Sequence, residues 1–444
     1  MTDHIKTLNL LVGEVSAEQV AFYACHGYTG NYIVNSDRDQ SVGVDSGSVP
    51  AMAVRGTNQS GMRAFNERLV LTLVYRNHGL AQRDIARATG LSAQTISVII
   101  RQLERDGLLL KGEPVRGRVG QPSVPLAVNV RGAFFLGIKV GRRSAEMVLT
   151  DFYGTIIGSC RASYRWPTPE KIIAFAKDGI AQLSDKLDLG EQKRLSGVGI
   201  ATPFELWNWS RQTGAPAAEM DLWRNADLQA EIAAITNLPV FLINDATAAC
   251  AAELRFGKSA GRKDFIYFYI GTFIGGGVVL NGGLYNGRTG YAGSIGGMPV
   301  PDDNGGLVQI IDRTSIIILE RMLEAAGLDA SPIWNTPEAW PDYGPQISEW
   351  IGIVSRSLAQ AIIASVSIID FESAIIDGGL PPEIRARIVE ATKLAVLTFD
   401  LQGVQLPLIE EGSIGINARA LGAASLPLVE RFLLDRNMAL ESEL

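Results

Sequence analysis

The stretch 82–107 leaves the fewest choices of fold. Its first part, 82–89, is long enough for only two helical turns and buries Ile85 and Ala88 on one side, after which Gly90-Leu91-Ser92 imposes a tight turn. Ser92 supplies a side-chain oxygen suited to capping the next helix, and Gly107 can take the left-handed conformation that ends it. Ile96, Ile99, Ile100 and Leu103 recur between them at helical spacing. Two short amphipathic helices across a three-residue turn need a further element to cover their apolar sides. The pattern at 66–77, with Leu69, Val70, Leu73 and Val74 on one face and Gly79 behind it, predicts that partner. A helix-turn-helix unit is expected.

The opposite face of the third helix is polar. Gln94, Ser97, Arg101 and Arg105 fall on one stripe, with Ser92 and Thr95 at its start. Such a stripe can enter a DNA major groove, where an amide pairs bidentately with adenine and arginines hold phosphates. Beyond Gly107, 108–111 and 125–128 read as two short strands enclosing Arg116-Gly117-Arg118-Val119-Gly120-Gln121-Pro122. Glycines between arginines let backbone approach DNA while guanidinium groups reach phosphate or minor groove, which reads as a wing with Arg116, Arg118 and Gln121 as contacts. Charge agrees: residues 61–131 hold eleven Lys/Arg against five Asp/Glu, in a chain whose net charge is −7. One basic module on an acidic body is the electrostatic footprint of nucleic-acid binding.

At 444 residues the chain has room for more than one core. The three histidines, His4, His26 and His78, all fall in the first 78 positions. A Cys/His zinc site or a histidine base beyond them is excluded, so carboxylates must do any acid–base work there. Three separated cysteines without a Cys-x-x-Cys pair, and no secretory leader, predict a cytoplasmic chain without disulfides. The longest apolar stretches, 266–280 and 358–369, are too glycine-rich or too short to cross about 30 Å of hydrocarbon, so no membrane partner is expected. Residues 43–61 read as a flexible approach, and Met52 offers an alternative translation start.

From residue 133 the pattern alternates strands with helices, which predicts largely parallel sheet. Strands are expected over 134–140, 145–150, 197–201, 240–244, 265–270 and 374–379, and helices over 169–186, 226–236, 347–369 and 417–434. Asn244-Asp245 then falls at the C-terminal end of a strand, where open α/β sheets gather ligands; a strand-end cap is the structural alternative. Gly271-Thr272-Phe273-Ile274-Gly275-Gly276-Gly277 reads as a glycine turn, either a phosphate cradle or a tight hairpin.

These segments together resemble the ROK family of repressors, open reading frames and sugar kinases, in its DNA-binding repressor branch. The resemblance runs from about residue 58 to 434 and is carried by Gly-Leu-Ser-Ala-Gln-Thr-Ile-Ser (90–97), the wing (116–122), Asn-Asp-Ala-Thr-Ala-Ala (244–249), the glycine segments at 271–282 and 287–293, and Asp-Gly-Gly (377–379). It implies a winged helix-turn-helix domain followed by an α/β two-lobed, actin-like (ribonuclease-H-like) fold. The expected units are a leader or linker over 1–62, the winged helix over 63–130, a first lobe from 132–250 plus 418–440, and a second lobe over 251–417.

The resemblance also marks departures. Family kinases open the body with an Asp-x-Gly-Gly-Thr phosphate loop, but Lys139-Val140-Gly141-Arg142-Arg143 stands there. The acidic residue is replaced by lysine, and two arginines replace residues small enough for backbone to touch phosphate. Gly141, Arg142, Arg143, Gly271, Thr272, Gly275 and Gly276 are therefore read as degenerate phosphate loops; Arg142 and Arg143 either attract an anionic ligand or form a plain surface turn. The family's Ala-Gly-Glu-x-Gly-His sugar motif is Ala292-Gly293-Ser294-Ile295-Gly296-Gly297, and its cysteine zinc loop is absent. No zinc, no cofactor and no catalytic residue are expected. Asp245 matches the family's catalytic aspartate and Asn244 its sugar-binding amide; with Glu219 and Ser294 they make the candidate effector set, and Trp207, Trp209 and Trp223 offer either sugar-stacking faces or core packing. The expected function is a DNA-binding regulator, a repressor of sugar uptake or catabolism genes, acting as a homodimer or homotetramer on operator DNA under a sugar or sugar-phosphate effector. The alternative is an ATP-dependent sugar kinase carrying a DNA-binding domain.

Overall fold

The computed structural model describes residues 59–77, 79–114, 124–210, 214–259, 261–335 and 337–434. The leader up to residue 58, Met52, and the wing residues Arg116, Arg118 and Gln121 lie outside them. Three helices open the described chain: α1 (Gln59–Arg76), α2 (Gln82–Thr89) and α3 (Ala93–Arg105). α1 starts about two turns before the expected 66, because its first turns are largely solvent-facing and carry no apolar period, with Arg63 bridging to Glu67 at 2.9 Å. The Thr95 amide donates to the Ser92 hydroxyl oxygen at 3.1 Å, and Gly90 and Gly107 adopt φ of 68° and 73°. Strands β1 (Leu80–Ala81), β2 (Leu109–Lys111) and β3 (Pro125–Val128) form a small antiparallel sheet with β3 in the middle. Val70, Val74, Ile85, Ile96, Ile100 and Leu103 close its core.

The body repeats one topology twice. β4 (Phe134–Val140), β5 (Ser144–Thr150), β6 (Ile156–Ser163), β7 (Leu195–Thr202) and β8 (Val240–Asn244) form a sheet of order β6-β5-β4-β7-β8. The first three strands are antiparallel and β7 and β8 join parallel. The second sheet, β11-β10-β9-β14-β15, has the same pattern and is built from β9 (Phe265–Ile270), β10 (Ile274–Leu280), β11 (Gly283–Tyr285), β14 (Ser373–Gly378) and β15 (Leu408–Glu411). A short hairpin, β12 (Pro299–Pro301) and β13 (Leu307–Gln309), stands outside it. Helices α4 (Pro169–Ser184) and α5 (Leu228–Ala234) cover the first sheet. Helices α7 (Ile316–Ala325), α8 (Gly344–Val366) and α9 (Pro382–Val396) cover the second.

Two helices exchange sheets. α6 (Asp245–Phe256) leaves the first sheet and packs on β10 of the second, while α10 (Ala418–Phe432) leaves the second and packs on β4 and β7 of the first. The pair lies side by side at backbone distance: a Cβ on Gly422 of α10 would stand 1.7 Å from the Ala248 carbonyl of α6, and one on Gly199 of β7 would stand 1.8 Å from the Ala423 carbonyl. The hairpin alternative holds at Gly271-Thr272-Phe273, which joins antiparallel β9 and β10, but Gly275, Gly276 and Gly277 are not part of the turn. They lie inside β10, where a Cβ would meet Ala246, the Tyr267 carbonyl and side chain of Ile295, and Cys250 respectively. Gly275 and Gly277 seat α6 against the sheet, whereas Gly276 makes room for Ile295.

This close approach carries a cost that can be measured. Gly199→Ala is expected to destabilise the chain by about 3 kcal/mol or more, since both partners are backbone in regular elements. Gly344→Ala, whose Cβ would meet nothing within 4 Å, should stay within about 0.5 kcal/mol of the parent. The urea midpoints of the two variants decide it.

Candidate functional site

Two places carry chemistry, and α10 joins them. On α3 the apolar face is spent on the core, which leaves Gln94, Thr95, Val98, Arg101 and Arg105 exposed and Ser97 half-exposed. Arg101 donates from Nε to the Ser97 carbonyl at 3.1 Å and from Nη2 to the Ser97 hydroxyl at 3.3 Å, so its guanidinium lies along the helix. Ser92 and Thr95 have hydroxyls 2.9 Å apart and serve first as the helix cap. Arg83 and Arg87 of α2, missed in the sequence reading, are also exposed and sit 3.6 and 3.8 Å from Asp84. A solvent-facing arginine on the leading helix of a helix-turn-helix is what their sequence offered as a signal, since that helix crosses the DNA backbone.

The second place is a cavity of about 280 Å³ between the two sheets, just below the roughly 300–1,000 Å³ range of ligand pockets. Asn244, Asp245, Ser294, Gly141, Arg142, Thr272, Gly275 and Gly276 line it, so the structure brings most of the sequence-predicted effector and loop residues to one wall. Asn244 Oδ1 accepts from the Ala246 and Thr247 amides at 3.1 and 3.3 Å; it caps α6 and keeps its amide NH₂ for the cavity. Ser294 donates to the Tyr291 carbonyl at 2.7 Å. Glu219 is placed elsewhere: it accepts from the Trp166 indole and does not line the cavity, and Trp223 is buried with its indole donating to the Pro167 carbonyl. Trp209 does line it.

Aromatic pairs from opposite sides meet at this cavity, Phe204 with Tyr291 at 5.2 Å and Trp209 with Phe273 at 5.3 Å. Glu205, next to Phe204, holds φ of 56°, a left-handed conformation for a residue with a Cβ. Across the cleft the β4–β5 turn is tied down as well. Arg142 lies 3.5 Å from Glu320 of α7, Arg143 donates to the same carboxylate, and Arg143 stacks 4.8 Å over Trp334. The arginine turn is therefore a clasp between the lobes.

Behind the cavity lies a charged cluster. The Lys139 ammonium contacts Glu146 and the Ser144 hydroxyl, each at 3.3 Å, and Arg419 Nη1 donates to Asp245 Oδ2 at 3.3 Å while its guanidinium covers the Tyr269 ring at 5.0 Å. Burial, then repulsion from Arg419, pulls the Lys139 pKa down to about 8, with Glu146 opposing. Burial opposes the charge of Arg419 too, but Tyr269, Asp245 and Glu146 outweigh it and raise its pKa. Arg419 was missed because it lies 174 positions from Asp245; the small-residue run after it signals close packing, not a cleft.

Arg419 begins the same helix whose far end holds the winged helix. Arg68 of α1 donates to the carbonyls of Val429, at 2.9 Å, and Leu433, at 3.1 Å, and the Leu434 amide donates to the Thr72 hydroxyl at 2.9 Å. Phe432 packs edge-on against Phe135 and Phe152 at 5.8 and 5.5 Å, and Tyr75 stacks on Tyr153 at 4.9 Å.

Residues 135–309 match the ROK family and residues 64–118 the MarR family. An uncharacterized protein of Sinorhizobium fredii is 25% identical over 379 residues, 83% of this chain and 92% of its own length. The xylose repressor of Bacillus subtilis is 25% identical over 393 residues, 85% of this chain and 98% of that one. A ROK family transcriptional regulator of known structure, a homolog of the E. coli MLC protein, shares the fold with a TM-score of 0.62 at 20% identity, over 83% of this chain and 96% of that one.

Lys139 makes stability pH-dependent. The folded chain releases its proton near 8 while the unfolded chain holds it to the ordinary 10.5, so the unfolded state binds more protons in that window and stability rises with pH across it. Relative to Lys139→Met, the parent's denaturation midpoint should climb from pH 8 towards 10.5. A flat difference would show that the amine is not desolvated.

Proposed function

Because this chain carries a ROK-family domain behind a MarR-like winged helix, we propose that it is a sequence-specific DNA-binding repressor whose grip on its operator is set by a sugar in the interlobe cleft. The observation that carries this reading is α10. It contacts the cleft through Arg419 and the winged helix through Val429 and Leu433, and its middle lies in backbone contact with α6 and β7. A ligand that changes the spacing of the two lobes must move α6 and α10 together, and α10 delivers the shift to α1. In a dimer, each recognition helix would meet one half-site, about 34 Å apart for successive turns, so a small rotation of the winged helices breaks the match. The relatives' name, xylose repressor, supports sugar uptake or catabolism genes as the target.

Within the cleft, Asp245 and the Asn244 amide suit vicinal hydroxyls, and the Phe204–Tyr291 and Trp209–Phe273 pairs offer ring faces to sugar C–H surface. A magnesium nucleotide does not fit this residue set. Lys139 stands where the family resemblance puts the metal-organising aspartate, Arg142 and Arg143 are clasped to Glu320, and Asp245 is ion-paired with Arg419. Among the described residues no three His, Cys, Asp or Glu side chains gather as metal ligands. No helix among them is long and apolar enough to cross a membrane.

Fluorescence anisotropy with operator DNA tests the reading. Gln94→Ala should relax preference at one base pair by about 1–3 kcal/mol, whereas Arg83→Ala should weaken all sequences alike and lower the salt slope by about 1. Arg68→Met should keep both DNA and sugar binding but lose the response of one to the other. ATP-dependent sugar phosphorylation that disappears in Asp245→Asn would instead establish the kinase alternative.

A further inference from the structure

Arg419 is poorly satisfied for a cation so deeply placed. Its side chain is 15% exposed and lines the cavity, yet among the described residues only one of its five N–H donors has an acceptor. That bond, to Asp245, is 3.3 Å long, beyond the roughly 2.7–2.9 Å of a good charge-assisted pair, and it is not bidentate. Nε is buried without any partner. Tyr269 beneath it satisfies charge but accepts no directed bond at the ring face. A guanidinium desolvated to this degree is retained at a cost unless oxyanions complete it.

The surroundings lean the same way. Lys139, Arg142, Arg143, Arg161 and Arg419 stand in or behind the cleft against three carboxylates, Glu146, Asp245 and Glu320. The local excess is positive in a chain whose net charge is −7, so it is a property of the cleft and not of the whole surface. Of the glycines that line the cavity, Gly290 and Gly297 have open space where a Cβ would stand.

We infer that the effector is an anionic sugar, bearing a carboxylate or a phosphate, and that Arg419 recognises the oxyanion. The inference rests on the cleft being the effector site and names its ligand class. If Asp245 holds the sugar's terminal hydroxyl, the guanidinium beside it faces that same end. A terminal carbon carried as a carboxylate, or a terminal oxygen carrying phosphate, gives Arg419 the second oxyanion it lacks. A neutral sugar leaves it with Asp245 alone. The anion thereby joins Asp245 on Arg419 at the first turn of α10, the helix that reaches the winged helix.

Titration calorimetry of the full chain tests this with three matched sets: neutral aldoses, their uronic or aldonic acids, and their terminal phosphates. At least one anionic set is expected to bind tenfold or more tightly than its neutral parent, with affinity falling as salt rises; which set wins distinguishes carboxylate from phosphate. Arg419→Gln should erase that preference. Asp245→Asn, which removes the like charge beside the bound anion, should raise the ratio of anionic to neutral sugar affinity severalfold, a gain that a misfolded variant cannot give. Neutral sugars binding as tightly as their acids and phosphates, and releasing the chain from DNA, would overturn the inference while leaving the sensor reading intact. No binding by any carbohydrate would overturn both.

Discussion

The molecule depends on one steric arrangement, the backbone-to-backbone contact between α6, α10 and the central strands of the first sheet. Glycine at 199 and 422 allows a helix and a strand, and two helices, to approach more closely than any side chain permits. At that distance the helices are held backbone against backbone, so neither slides or rolls freely past its partner. The exchange of helices between two sheets of identical strand order makes these contacts the joint between the lobes. Cleft geometry and winged-helix position are then two readouts of one joint. Asp377 reinforces it: fully buried, it accepts from the Tyr267 hydroxyl at 2.9 Å, the Arg385 guanidinium at 3.1 Å and the Gly415 amide at 3.0 Å, just before α10 begins.

Charge distribution converts a kinase-like cleft into something chemically different. Phosphoryl transfer needs cations that arrive with the nucleotide and a carboxylate left basic enough to take a proton. Here the cations are covalently part of the chain. Lys139 and Arg419 occupy the base of the cleft, and each is ion-paired with a carboxylate, Glu146 and Asp245. The Arg142 and Arg143 clasp on Glu320 fills the β4–β5 turn with side chains where a phosphate loop offers bare amides.

Local signals in the sequence predicted local structure well. The segment 82–107 was legible because a cap, a turn glycine and helical periodicity all act within a few residues of each other, and the strand bounds 240–244 and 265–270 coincide with β8 and β9 for the same reason. The segment 271–277 shows the limit, since its first three residues make the hairpin that the sequence allowed while Gly275-Gly276-Gly277 lie in the strand. A glycine that frees a turn and a glycine that makes room for a helix look the same in sequence, and only the position of α6 tells them apart. α9 and β15 went unread, since α9 mixes charged and apolar residues without a clean stripe and β15 has only one buried position, Ile409. At the site, Asn244, Asp245 and Ser294, named through the family resemblance, line the cavity, whereas Glu219, named with them, accepts from the Trp166 indole away from it. Arg419 and Glu320 act across the joint, and no short-range pattern encodes a partner from the other lobe.

The energies involved are compatible with a switch of this construction. An effector shifts a two-state protein only by its differential affinity for the two states, and couplings of about 1–3 kcal/mol, or five- to 150-fold, are typical of allosteric regulators. A single hydrogen bond to a charged group contributes roughly 1.5–3 kcal/mol. One oxyanion gained or lost at Arg419 is therefore of the right size to reset the equilibrium, provided the displacement is not dissipated on the way. The joint prevents that dissipation. α10 is a single helix of fifteen residues, about 22 Å at 1.5 Å per residue, held along its middle by backbone contacts and at its end by Arg68 and Phe432. A longer or softer path would need a larger ligand contribution to produce the same change at the operator.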